Sequence, residues 1–179
     1  MADQPDKANV IVRPPIALLL AFLAGLLADW LYPLKLLPAL RNSRHDTFAP
    51  IDSYGFPVWA DWSVPHVLLG SFIFVAGFAL MVWAITTIRA AGTHVQTTQP
   101  TTAIVAEGPY RFSRNPIYLG MFLGLIGLAI AFNTIWILVA LVAFYLVIRY
   151  GVIAREEAYL ERKFGDVYRG YQAQARRWL

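Results

Sequence analysis

Residues 116–153 read PIYLGMFLGLIGLAIAFNTIWILVALVAFYLVIRYGVI, and Arg149 is the one charged side chain among them. The pair Asn133-Thr134 divides the stretch into two apolar runs, Pro116 to Phe132 and Ile135 to Ile153. As a helix the first run is about 25 Å long, close to the roughly 30 Å hydrocarbon core of a bilayer. Neither run has the polar face that a helix in water needs. The reading is a tight helical hairpin in lipid, and Gly120-xxx-Gly124 gives it a small-residue face for close packing.

Two more runs precede the hairpin. Pro14 to Tyr32 is apolar except for Asp29 and stops at Pro33; it is longer than the apolar core of a signal peptide, roughly 7–15 residues. Asp29 falls about 24 Å beyond Arg13 along a helix, at the far interface, where Trp30 and Tyr32 fit an aromatic belt. Val64 to Ile88 forms another span, closed by Arg89. The connection 34–62, with Phe48, Tyr54, Phe56, Trp59 and Trp62, is expected to lie on the membrane surface, and residues 1–13 to be frayed or interfacial. After Ile153 the pattern turns amphipathic: one helix from Arg155 to Gly165, then an interfacial piece, Val167 to Leu179.

Composition agrees. The chain of 179 residues is 58% hydrophobic and 15% charged, with mean hydropathy +0.52. Soluble domains carry about 25% charged residues, and a chain this short cannot hide so much apolar surface inside itself. The expected fold is therefore all-α: a polytopic membrane protein of four transmembrane helices with a C-terminal amphipathic cytoplasmic helix. With no cysteine, and with His45, His66 and His94 scattered, neither a catalytic thiol nor a metal site is expected. The net charge of +4 does not point to nucleic acid, because the basic residues flank apolar spans. Lys7, Arg13, Arg89, Arg111, Arg114 and the arginines after Ile153 lie on one side of a four-span arrangement. Both termini are thus expected in the cytoplasm, in a cell or inner membrane, with the lipid bilayer as partner. The sequence sets no oligomeric state.

Two segments on that side carry chemistry. Glu107-Gly-Pro-Tyr-Arg-Phe-Ser-Arg-Asn-Pro116 leads into a helix whose first turn offers free N–H groups and a positive dipole end, with Arg111 and Arg114 beside it. Arg155-Glu156-Glu157 stands where the last span leaves the membrane, and a tight hairpin brings the two segments together. Anion-binding groups beside carboxylates suit a zwitterionic amino-acid ligand with an extra positive charge, such as S-adenosylmethionine. On residue types alone, a solvated glutamate face with lipid-facing, snorkelling arginines is an equal reading.

Gly108-Pro-Tyr-x4-Asn-Pro-x-Tyr-x-Gly120, then a hairpin, then Glu156-Glu-x2-Leu-x3-Phe-Gly-x2-Tyr-x2-Tyr171, resembles the isoprenylcysteine carboxyl methyltransferase family, a relative of the phospholipid N-methyltransferases. The likeness covers roughly residues 90–175. It implies one membrane domain over 1–179, with N-terminal spans in 1–89 and a cofactor-binding catalytic region in 90–179. It also implies S-adenosylmethionine as cofactor, in a pocket lined by Gln96, Thr102, Ala103, Ile104, Val105, Tyr110, Asn115, Pro116, Ile117, Tyr118 and Glu156. The family's Arg-His-Pro motif, which holds the amino-acid end of the cofactor, reads Arg114-Asn115-Pro116 here; an amide donates a hydrogen bond but takes no charge. The family's substrate-binding arginine falls on Val152, leaving Arg149 and Arg155 as substitutes. Arg149 stands seven residues before Glu156, two turns along the same face. An amine or thiol acceptor would call on Glu156 or Glu157 as general base.

The acceptor is expected to be amphipathic and to enter from the bilayer; a prenylated cysteine carboxylate, a phospholipid amine and a lipophilic thiol or acid are all compatible. Membrane sterol reductases share a similar C-terminal pattern and use NADPH, but they carry a glutamate where Met121 stands. A non-enzymatic membrane interaction subunit is the third reading.

Overall fold

A computed structural model describes residues 7–36, 65–93 and 99–178; the aromatic residues expected on the surface in the long connection lie outside these. Among the described residues three helices are long and apolar enough to cross a membrane: Pro14–Leu31 (α1), Pro65–Ala90 (α2) and a continuous helix over Ile135–Phe164. The shorter Pro116–Ala131 (α3) is apolar too. The continuous helix comprises Ile135–Leu146 (α4), a wide π turn at Val147–Ile153, and Ala154–Phe164 (α5). Asp166–Gln174 (α6) follows. No strand occurs among the described residues, only a lone bridge between Ser113 and Arg176. The all-α polytopic fold expected from the hydropathy pattern is the one observed.

Local chemistry sets the boundaries. Pro14 and Pro116 open α1 and α3, at positions where a missing N–H costs nothing. The hairpin turns at Asn133, whose φ of 49° is left-handed and tolerated by asparagine. Thr134 then caps α4 by accepting from the Trp136 N–H at 3.2 Å. Gly165, at φ 53°, separates α5 from α6.

Glycines decide which helices touch. A Cβ on Gly77 would sit 2.7 Å from the Gly120 carbonyl oxygen, and one on Gly127 would sit 2.6 Å from that of Gly70. Seven-residue spacing on both helices thus lets α2 and α3 meet backbone to backbone. The small-residue face expected within the α3–α4 hairpin serves α2 instead. Gly124 lends that contact its backbone, its N lying 2.9 Å from where a Gly77 Cβ would sit, but a Cβ on Gly124 itself would meet only the Phe74 ring, at 3.9 Å. α1 packs on α4, where Gly25 lies against the fully buried Ile137. The inner faces contribute Ala17, Met121, Leu125, Phe144, Ile148 and Val152 to one core. Leu19, Leu23, Leu27, Leu68, Phe72, Val75, Val139 and Val142 point outward, an apolar girdle that only lipid solvates well. At the far end Asp29 pairs with Lys35 at 3.3 Å, and Trp136 donates to the Tyr32 carbonyl at 2.6 Å.

The N-terminal segment is not frayed from Ala8 onward. Ile11 donates its N–H to the Gly151 carbonyl at 3.1 Å, and Ala8 is buried. A π turn widens the helix and tilts carbonyls outward, which makes one available to a passing segment.

Candidate functional site

Where α3 begins and α5 leaves the apolar bundle, the two sequence-flagged segments form opposite walls of one cleft. It encloses about 950 Å³ of space when its open mouth is counted. Ala103, Ile104, Val105, Tyr110, Asn115, Pro116, Ile117, Tyr118, Glu156 and Glu157 all line it. Thr102 does not: its N–H donates to Thr93 Oγ1 at 3.0 Å and its hydroxyl to the Gly92 carbonyl at 3.2 Å. These bonds anchor the 101–105 segment to the end of α2 instead of facing the cleft. Gln96 lies outside the described residues.

The two glutamates have opposite surroundings. The Tyr118 hydroxyl donates to Glu156, 3.0 and 3.1 Å from its two oxygens, and no cation pairs with this carboxylate among the described residues. Glu157, one residue on, is gripped by two arginines. Arg177 Nε donates to its Oε1 at 3.0 Å while Nη2 donates to Oε2, and Arg114 Nη1 stands 3.5 Å from Oε1. A carboxylate engaged this way is an anchor, with little lone-pair capacity left for general base work. Glu156 is the carboxyl group of the cleft with no cation beside it among the described residues.

Two buried groups in the same cleft have donor atoms without a hydrogen bond. Arg114 Nε and Nη1 make no hydrogen bond, and neither does the Tyr110 hydroxyl. Orphaned buried polar atoms are uncommon in a folded protein and mark positions where a ligand supplies the missing contact. Tyr110 is held from its other side, where the Tyr171 hydroxyl donates to the Tyr110 carbonyl at 2.9 Å. Burial, with Tyr171 and Glu156 nearby, raises the Tyr110 phenol above its usual range, and burial raises Tyr168 and Tyr171 as well. All three stay neutral near pH 7, so Tyr110 is available as a donor.

The structure does not bring Arg149 or Arg155 to the cleft. Arg149 lies over the Tyr150 ring, 5.5 Å from its centroid. The wide turn explains this: one extra residue per π turn moves Arg149 about 100° out of register with Glu156, so the two do not share a face. Arg155 Nη1 donates to the Asn9 carbonyl at 2.9 Å and fastens the N-terminal segment.

Several lining residues escaped the sequence reading. Ala8 and Thr93 come from segments that carry no motif, and Tyr159 is an unassigned position between the motif residues Glu157 and Leu160. Arg177 looked like one interfacial arginine among several. Its pairing with Glu157 across 20 residues had no local signal. Next to the cleft, α3 continues into a second, wholly apolar groove of about 760 Å³ on the same count, walled by Phe22, Phe74, Phe78, Met81 and Met121.

An uncharacterised protein of Haemophilus influenzae is 45% identical over 64 residues, which is 33% of this chain and the whole of that protein. No solved structure matches the chain. The profile of the phospholipid methyltransferase family matches residues 65–167, more than half the chain, and takes in α2, α3, the π turn and both walls of the cleft. The chain belongs to the phospholipid methyltransferase family, whose members are membrane-embedded methyltransferases of lipid-like substrates.

Proposed function

We propose that the protein transfers a methyl group from S-adenosylmethionine to the polar end of an amphipathic acceptor drawn from the bilayer. A carboxylate of the isoprenylcysteine kind is the first candidate, with a phospholipid amine or lipophilic thiol as alternatives. The observation that carries this reading is the chemistry gathered in one cleft: an uncompensated carboxylate, spare guanidinium donors and an orphan phenol. That donor set fits the cofactor. Glu156 would face its ammonium or sulfonium, Arg114 and the first-turn N–H groups of α3 its carboxylate, and Tyr110 a polar atom of the nucleoside. Ile88, Ile104, Val105, Ile117 and Leu160 offer apolar walls for a purine.

When bound, S-adenosylmethionine supplies an electrophilic methyl on a sulfonium. The protein's part is to orient the reactants and to exclude water. Tyr118 holds the Glu156 carboxylate in one rotamer through both oxygens. For an acceptor carboxylate the candidate arginines are Arg155, bonded to the Asn9 carbonyl, and Arg149; both stand outside the cleft lining, so an acceptor held by either would reach the cleft from beyond its wall. The apolar groove beside α3 supports a lipophilic acceptor. The reading also places both termini and the cleft on the cytoplasmic side of a cell membrane, where the cofactor is available.

The test is incubation of purified protein and membrane lipid with methyl-tritiated S-adenosylmethionine. Base-labile label released as methanol identifies an ester and hence a carboxylate acceptor. Base-stable label in lipid identifies an amine or thiol. Binding of NADPH without binding of S-adenosylmethionine would overturn the reading in favour of a reductase, and binding of neither would leave an interaction subunit.

A further inference from the structure

The C-terminal tail beyond α6 runs along the segment that leads into α3. Arg114 donates its N–H to the Arg176 carbonyl at 2.8 Å. The Arg177 carbonyl accepts from Ser113 Oγ at 3.3 Å and from Asn115 Nδ2 at 3.0 Å. Trp178 then packs on Phe122 and Tyr145, with ring centroids 5.3 and 5.9 Å apart. These bonds fix the Arg177 side chain over Glu157.

Glu157 therefore has two possible guanidinium partners. Arg177 presents two parallel N–H bonds, while Arg114 approaches to 3.5 Å without a hydrogen bond. The Arg114 and Glu157 side chains are only 12% and 13% exposed, so water cannot satisfy either one fully. If Arg177 were absent, Arg114 would be the remaining cation for a buried carboxylate. Rotation toward Glu157 would form the fork–fork pair at the expense of the donors it keeps in the cleft.

From this competition we infer that Arg177 is a positioning residue: by hydrogen-bonding both oxygens of Glu157 it leaves Arg114 only a 3.5 Å ion contact there, so that the Arg114 donors without a hydrogen bond serve the anionic end of a ligand in the cleft. The inference rests on the cofactor reading above, and it makes an unusual demand. Damage caused by losing Arg177 must be repaired by removing the charge of Glu157, because Arg114 then has no competitor to bind. A strap that merely stabilised the fold would show no such repair.

The experiment is calorimetric titration of S-adenosylhomocysteine into detergent-purified wild type, Arg177→Met, Glu157→Gln and the double variant. Each is measured at a temperature where its helical circular dichroism matches the wild type. Arg177→Met is expected to weaken binding about tenfold, the loss of one charge-assisted contact, and the double variant to return within about threefold of wild type. Should Arg177→Met not fold, Glu157→Gln carries the test. It must bind at least as tightly as wild type, and a tenfold loss would overturn the inference. Wild-type binding with Arg177→Met unaffected, or with the double variant as weak as the single, overturns the positioning role alone. A wild type that binds no S-adenosylhomocysteine overturns the cofactor reading, and this inference with it.

Discussion

Glu156→Gln changes one charge in the cleft and almost nothing else. The amide keeps the shape of the side chain and can still accept from the Tyr118 hydroxyl, now 3.0 Å from the nearer oxygen. No cation is stranded, since none pairs with Glu156 among the described residues. Stability should therefore move by less than about 1 kcal/mol, the scale of one neutral hydrogen bond. Binding should respond much more. A charge-assisted contact in a water-poor cleft is worth about 1.5–3 kcal/mol, and at 1.4 kcal/mol per tenfold the affinity for S-adenosylmethionine should fall roughly 10- to 150-fold. Glu161→Gln is the control: that carboxylate is half exposed and pairs with Arg169 at 3.5 Å, so its loss should cost less than about twofold. Titration of both variants with S-adenosylmethionine, beside thermal melts followed by circular dichroism, reads the two quantities separately. Repeating the titration with S-adenosylhomocysteine, which lacks the sulfonium charge, tells which cationic group Glu156 faces. Equal, small losses for Glu156→Gln and Glu161→Gln would refute the reasoning, because they would make Glu156 an ordinary solvated glutamate.

Three further outcomes follow from the geometry. Tyr110→Phe removes a buried hydroxyl that has no partner, so it should leave the melting temperature unchanged or slightly higher while weakening S-adenosylmethionine several-fold; unaltered affinity would show that the phenol does not meet the ligand. Gly77→Leu forces a side chain into the Gly120 backbone across the α2–α3 contact and should cost about 1–3 kcal/mol or more, read as a lowered melting temperature in detergent, whereas Gly124→Ala should cost much less. Cysteines placed at the exposed Lys7 and Ala173 should react with an impermeant maleimide from the same side of sealed vesicles, and one at Lys35 from the other side; labelling of Lys7→Cys and Ala173→Cys from opposite sides would break the topology.

The membrane class, the four apolar helices and their limits were legible in the sequence because they rest on local physics. Apolar runs of bilayer length, prolines at helix starts and a polar hairpin turn each act over a few residues. The motif around Asn115 and Glu156 was legible for the same reason, since a tight hairpin leaves its two ends no choice but to meet. What the sequence could not express was set by contacts between distant segments. Heptad glycines on α2 and α3 are meaningful only once the two helices face each other, so the pairing of Gly77 with Gly120 had no signature in either run alone. A π turn adds one residue to a helix without any composition that announces it, and that single residue carried Arg149 off the Glu156 face. Glu156 and Glu157 read alike as neighbours in the chain. Only the returning tail, which lays Arg177 on one of them, makes the second an anchor and leaves the first uncompensated, because charge balance depends on distance in space and not on separation along the chain.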